Sequence, residues 1–102
     1  MRLVRLSRTF NGELVELLSQ GIPRFGARVV ADKQALVFGT IENYLVHFPM
    51  RPIDPVLGLC ACRVDKTPFV LLYDYDDAEL RVHLVIHESA DRALVDLSAV
   101  VW

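Results

Sequence analysis

Between Glu79 and His87 the chain alternates strictly. Leu80, Val82, Leu84 and Ile86 fall on one side of an extended strand, and Arg81, His83, Val85 and His87 on the other. Pro68 to Tyr75 (PFVLLYDY) is a second apolar run, and Asp76-Asp77 between the two reads as a turn, so a β-hairpin is predicted. Leu57 to Val64 makes a further strand, joined through Asp65-Lys66-Thr67. A two-residue turn pairs Tyr73 with Leu80, Leu71 with Val82 and Phe69 with Leu84, which gives one wholly apolar face. The opposite face then mixes Leu72 with Arg81 and Val70 with His83, with Val85 and His87 beyond.

Upstream the period changes from two to helical. Phe10, Leu14, Leu17 and Leu18 predict a helix over Gly12 to Gln20, capped by Ser7 or Asn11 and ended by Gly21 and Pro23. A second helix is expected from Arg24 to His47, with Val30, Val37, Ile41, Tyr44, Leu45 and Phe48 as its apolar stripe. Gly39 within it costs about 1 kcal/mol relative to Ala and marks a close approach of the first helix. Arg2 to Leu6 is an opening strand, and Phe48 to Pro55 holds three prolines that cannot continue a helix. After the hairpin, Glu88 to Arg92 reads as a turn or short helix, and Leu94 to Trp102 as a further strand. The β-α-α-β-β-β order predicts an α+β, two-layer fold, a helical hairpin packed on a small, mainly antiparallel sheet.

Composition adds a partner to this picture. The 102 residues, read as a single domain over 1–102, are 53% hydrophobic against 24% charged. A domain this small has too much surface to hide that many apolar side chains, so a partner protein is expected to cover some of them. No stretch approaches the roughly 18 apolar residues of a membrane span, and MRLVRLSRTF lacks the apolar core of a secretion signal. Cys60 and Cys62, two apart on a strand, face the same side, which suits neither a disulfide nor, without a second pair, a zinc site. They read as small core residues in a reducing, cytoplasmic setting. The formal net charge is −2, with nine Arg and two Lys, so any basic footprint must be local and made of arginine.

Candidate chemistry concentrates on the mixed face. His87 has the side chain suited to proton transfer near neutral pH. Arg81 either presents donors to a phosphate or balances Asp74, Asp76, Asp77 and Glu79 at the hairpin tip. His83 reads as a half-buried sheet residue or part of a target-binding surface, and Asp91 and Arg92 as a local ion pair. His83 and His87 lie four apart on a strand, roughly 13 Å by strand rise, too far to share a metal ion. No metal or cofactor is expected. Trp102 anchors either the tail or a partner.

The opening RLVRLS, the helix pair closing in YLVHFP, the PFVLLYDYDD–ELRVHLVIH hairpin and the ending with His87, Asp91 and Arg92 together resemble the RelE/ParE superfamily. These are the toxins of bacterial type II toxin–antitoxin modules. The resemblance implies growth arrest, and neutralisation by a cognate antitoxin that wraps the toxin and accounts for the surplus apolar surface. RelE-type members cleave messenger RNA at the ribosome, and in that case Arg63, Arg81 and His87 would be the catalytic residues. ParE-type members poison DNA gyrase and lack that set. Arg81, His83, His87 and Arg92 would then bind the target, and Val70, Leu72, Val85 and Trp102 would meet the antitoxin. The acidic chain, its two lysines and the absence of a tyrosine after the last strand favour the ParE branch. A non-toxic interaction module of the same fold is the third reading.

Overall fold

The computed structural model describes residues 1–102 and has the expected α+β architecture. The elements are β1 (Leu3–Leu6), α1 (Arg8–Phe25), α2 (Ala27–Gly39), a π-helical segment (Thr40–Leu45), β2 (Cys60–Arg63), β3 (Phe69–Tyr75) and β4 (Glu79–His87). The sheet order is β1-β4-β3-β2, with β1 parallel to β4 and the other pairs antiparallel. No helix is long and apolar enough to cross a membrane.

Ser7 caps α1 as expected, its Oγ accepting from Phe10 N–H at 2.8 Å while donating to the carbonyl of His83 at 2.6 Å. The helix does not stop at Gly21 and Pro23. It runs on to Phe25 and ends at Gly26, whose φ of 85° only glycine adopts without strain. The close approach between the helices is also at Gly21 rather than Gly39. A Cβ at Gly21 would lie 3.2 Å from Val30 Cγ2, whereas at Gly39 it would meet nothing nearer than Asn43 Nδ2 at 3.8 Å. The second helix starts at Ala27 and widens into the π-helix at Thr40, so the expected span of Arg24 to His47 is trimmed at both ends. β2 is likewise shorter than Leu57 to Val64, and the proline-rich segment before it adds one bridge, Ile53 to Cys60.

The hairpin register differs from the two-residue turn. Tyr75 pairs with Leu80 and Tyr73 with Val82, but Leu72 pairs with Leu84, so His83 is left over in a β-bulge. One extra residue reverses which side every later residue faces. Leu80 and Val82 therefore join Phe10, Leu14, Val37, Ile41 and Leu71 in the helix-side core, and so does Val85. Leu84 and Ile86, expected in that core, lie on the opposite face with Val70, Leu72 and Leu59.

That opposite face is a second small core covered by the chain's own C-terminal tail. Ala90, Val95, Leu97 and Val100 pack on it. The tail forms no strand. It makes two 3-10 turns, Arg92–Leu94 and Leu97–Ala99, each capped by an aspartate (Asp91 and Asp96) that accepts from the N–H two residues on. Its far end is tied to α1: the Val101 carbonyl accepts from Arg8 N–H at 2.7 Å and Thr9 N–H at 3.3 Å. Thr9 Oγ1 in turn accepts from Val101 N–H at 2.8 Å. Two of the helix's unpaired N-terminal donors are thereby satisfied.

On the helix side Tyr73 is fully buried and donates its hydroxyl to the carbonyl of Pro49 at 2.6 Å. This bond fastens the proline-rich segment to the core, and burial raises the phenol's pKa. Cys60 and Cys62 are free thiols on the same side, Cys62 in the core and Cys60 packed against it.

Candidate functional site

The hairpin tip carries a charged cluster centred on Arg81. In register Arg81 lies between Asp74 on β3 and Arg5 on β1. Its Nε donates to Asp74 Oδ1 at 2.8 Å, and its Nη1 to Asp76 Oδ2 at 2.9 Å and Glu79 Oε1 at 3.1 Å. These bonds raise the guanidinium's pKa, the Asp76 bond most. They help hold Asp76 at a pKa of about 2, where Arg81 is again the largest cause, followed by the backbone N–H groups of Glu79 and Ala78. Glu79 also reaches Arg5 at 3.9 Å, screening two arginines that sit side by side. Of the alternatives open for Arg81, the structure realises the balancing one.

The bulge residue His83 extends the cluster. Its Nε2 lies 3.2 Å from Asp74 Oδ1, and its ring meets the edge of Trp102 with centroids 4.8 Å apart. The Arg5 guanidinium lies 5.2 Å from the centroid of the same indole. Trp102 thus anchors the tail over the tip while remaining 39% exposed. The contribution of Arg5 was missed at the sequence level, whereas Asp74 and Glu79 were among the acids expected around Arg81. The only signal was that an opening strand with an arginine must lie beside something.

The other expected site residues lie elsewhere. Arg63 shares the second face with Arg81 but is level with Val70 and Ile86, roughly 15 Å away along the strands. It pairs with Glu88 at 3.0 Å, where both side chains are exposed. His87 is opposite Phe69 on the helix side, beside Glu13, Leu17 and Gln20 of α1. Its Nδ1 accepts from Ser89 N–H at 3.1 Å, with Ser89 Oγ at 2.7 Å. Arg63, Arg81 and His87 are therefore three separate positions. Arg92 does not pair with Asp91. It reaches Asp54 at 3.4 Å and donates to the Ala90 carbonyl at 2.9 Å, holding the start of the tail to the proline-rich segment. Val70, Leu72 and Val85, expected to face an antitoxin, are buried by the chain itself, the first two near the tail and Val85 under the helices. No three His, Cys, Asp or Glu side chains come together in a way that would hold a metal ion.

Comparison with known proteins defines the class of fold. No family model matches the sequence, and no curated protein does either. Among solved structures, one chain of "Chromosomal ParDE TA system from P. aeruginosa" superimposes with a TM-score of 0.70 at 13% identity, covering 85% of this chain and 96% of that one. The observed fold, two helices on a four-stranded mixed sheet, is thus shared with a chain of that toxin–antitoxin system.

Proposed function

We propose that this protein is the toxin of a bacterial type II toxin–antitoxin module, that it is neutralised by a cognate antitoxin in the cytoplasm, and that it acts as a ParE-like inhibitor of DNA gyrase. The observation that carries the toxin reading is the near end-to-end match in fold to a chain of a ParDE toxin–antitoxin system. Exposed apolar side chains on the helical layer and the proline-rich segment, among them Phe25, Phe48, Met50 and Ile53, support a protein partner.

Charge at the hairpin tip supports a protein target over RNA. Arg81 gives its donors to three carboxylates, so a phosphate approaching it meets Asp74, Asp76 and Glu79 first. Cleavage of RNA by Arg63, Arg81 and His87 would need these groups around one phosphate, and they are spread over both faces of the sheet. Arg81, His83 and Trp102 are the proposed target-facing surface; His87, on the other face of β4, and Arg92, held to Asp54 at the far end of that strand, lie outside it.

Induction of the chain alone in a bacterial host should halt growth and raise the DNA-damage response while messenger RNA stays intact. Normal growth with soluble, folded protein would overturn the toxin reading and favour a non-toxic interaction module. Rapid loss of messenger RNA would favour the RelE-like alternative.

A further inference from the structure

The outward side of α1 carries apolar side chains that nothing in the chain covers. Val15 and Ile22 are 64% and 47% exposed. Seven residues apart, they lie two turns apart on one flank of the helix. Beside them along the crest of the helix stand Gly12, Ser19 and Pro23, all exposed and all too short to hold a second helix away. Phe10, Leu14 and Leu18 on the opposite side are buried in the core, so this crest faces away from the domain.

The other flank is charged, with acids and bases at opposite ends. Glu13, Glu16 and Gln20 border a groove shared with His87, and Gln20, Arg24 and Lys33 border the next one along the same side. None of Glu13, Glu16, Arg24 and Lys33 takes part in a salt bridge. Arg24 and Lys33 rest on the Phe25 ring, 5.5 and 4.7 Å from its centroid, which leaves their charge unmatched by any carboxylate. At the other end Glu16 lies three residues from Glu13, a spacing at which like charges repel along a helix. Partial burial and that neighbour raise the pKa of Glu13. The lone chain thus has two unmatched acids near the start of α1 and two unmatched bases near its end.

We propose that α1 pairs antiparallel with α1 of a second copy of this chain, about a two-fold axis passing between Leu18 and Ser19. That axis sets Val15 against Ile22 of the second copy, and Ile22 against its Val15. It also brings the two charged flanks together. Glu13 is then level with Arg24 of the second copy, and Glu16 within one turn of it. A parallel pairing would set acid against acid and base against base, so charge selects the antiparallel one. The contact is made by one helix of 18 residues, about 27 Å long. That is short for the roughly 1,200–2,000 Å² of a standard interface, so a dissociation constant on the order of 10–100 μM is expected. The pairing does not depend on the toxin reading.

Sedimentation equilibrium of the full chain over a range of concentrations spanning about 5–500 μM tests the pairing. The mass should rise from that of one chain towards that of two. Val15→Arg should weaken the association by about tenfold or more, because the change enters the interface twice. Glu16→Lys and Arg24→Glu should each weaken it by about fivefold. An equimolar mixture of those two variants should recover the unaltered affinity, since both cross-pairs are again opposite in sign. All three positions are exposed, so the core is undisturbed. A single-chain mass at every concentration overturns the proposal, as does an association that Val15→Arg leaves unchanged. A mixture no stronger than its components overturns the antiparallel geometry and the proposal with it. If the chain alone stays single while Val15→Arg weakens binding of the protein encoded by the adjacent reading frame, the face belongs to that partner and the proposal falls.

Discussion

Arg81 and His87 lie on opposite faces of β4, Arg81 beside Asp74 and His87 opposite Phe69, because the bulge at His83 reverses the strand between them. Six residues apart on a regular strand, they would share a face. One added residue thus separates the cation from the imidazole. It also puts His83 itself at the junction of β3, β4 and the tail.

Substitution should separate the two residues energetically. Arg81→Ala leaves three carboxylates at the tip without their shared cation, and is expected to destabilise the fold by about 1–2 kcal/mol. His87→Ala removes only an exposed local contact to Ser89 and should change stability by no more than about 0.5 kcal/mol. Urea denaturation of the two variants measures both. An equal loss would mean that His87 has a buried role not visible in its contacts.

The tail is expected to report on itself. Trp102 is the single tryptophan, and its indole sits against His83 and Arg5. Thr9→Val removes the acceptor for Val101 N–H, so it should loosen the tail. Indole emission should shift to the red and lose anisotropy before the rest of the chain unfolds. Emission that changes only together with far-ultraviolet circular dichroism would show the tail to be inseparable from the core.

The two helix glycines should respond differently to alanine. At Gly39 the new methyl meets ordinary contacts and the helix gains, so Gly39→Ala is expected to stabilise by up to about 1 kcal/mol. At Gly21 the same methyl sits 3.2 Å from Val30 Cγ2, which offsets the gain. Thermal melts of both variants check the ordering, and a larger gain at Gly21 would show that Val30 moves freely.

Acid should weaken the hairpin tip in a definite window. Asp76 has its folded-state pKa lowered to about 2 from 3.8, chiefly by Arg81. A lowered carboxylate stabilises the fold above the unfolded pKa, and that contribution is lost as pH falls through the folded value. Stability should therefore decline between pH about 4 and 2, and Asp76→Asn should flatten that slope. An unchanged slope would place the acid sensitivity elsewhere, with Asp54 and Asp96, also lowered, as the next residues to test.

The elements were legible because their periods are. The helical recurrence from Phe10 to Leu18 and the hairpin about Asp76 both give the right fold class. The bulge was not legible, since Leu84, Val85 and Ile86 are all apolar and either parity of the strand buries a plausible set. That ambiguity exchanged the faces of Val85 and Leu84 and put His87 on the wrong side. The tail was misread for a related reason. Asp91–Val95 and Asp96–Val100 are two similar capped turns, but their spaced apolar residues look like a strand when the aspartates are not read as caps. Arg81 was legible as a residue; which of its two roles held depended on where Asp74 and Glu79 pointed.

DNA supercoiling by purified gyrase, with the purified chain added, reads out gyrase inhibition itself. Supercoiling should fall as the chain is titrated in and recover when the antitoxin is added, with His87→Ala as potent as the unaltered protein. Full gyrase activity, together with messenger RNA cleavage that His87→Ala abolishes, would contradict it.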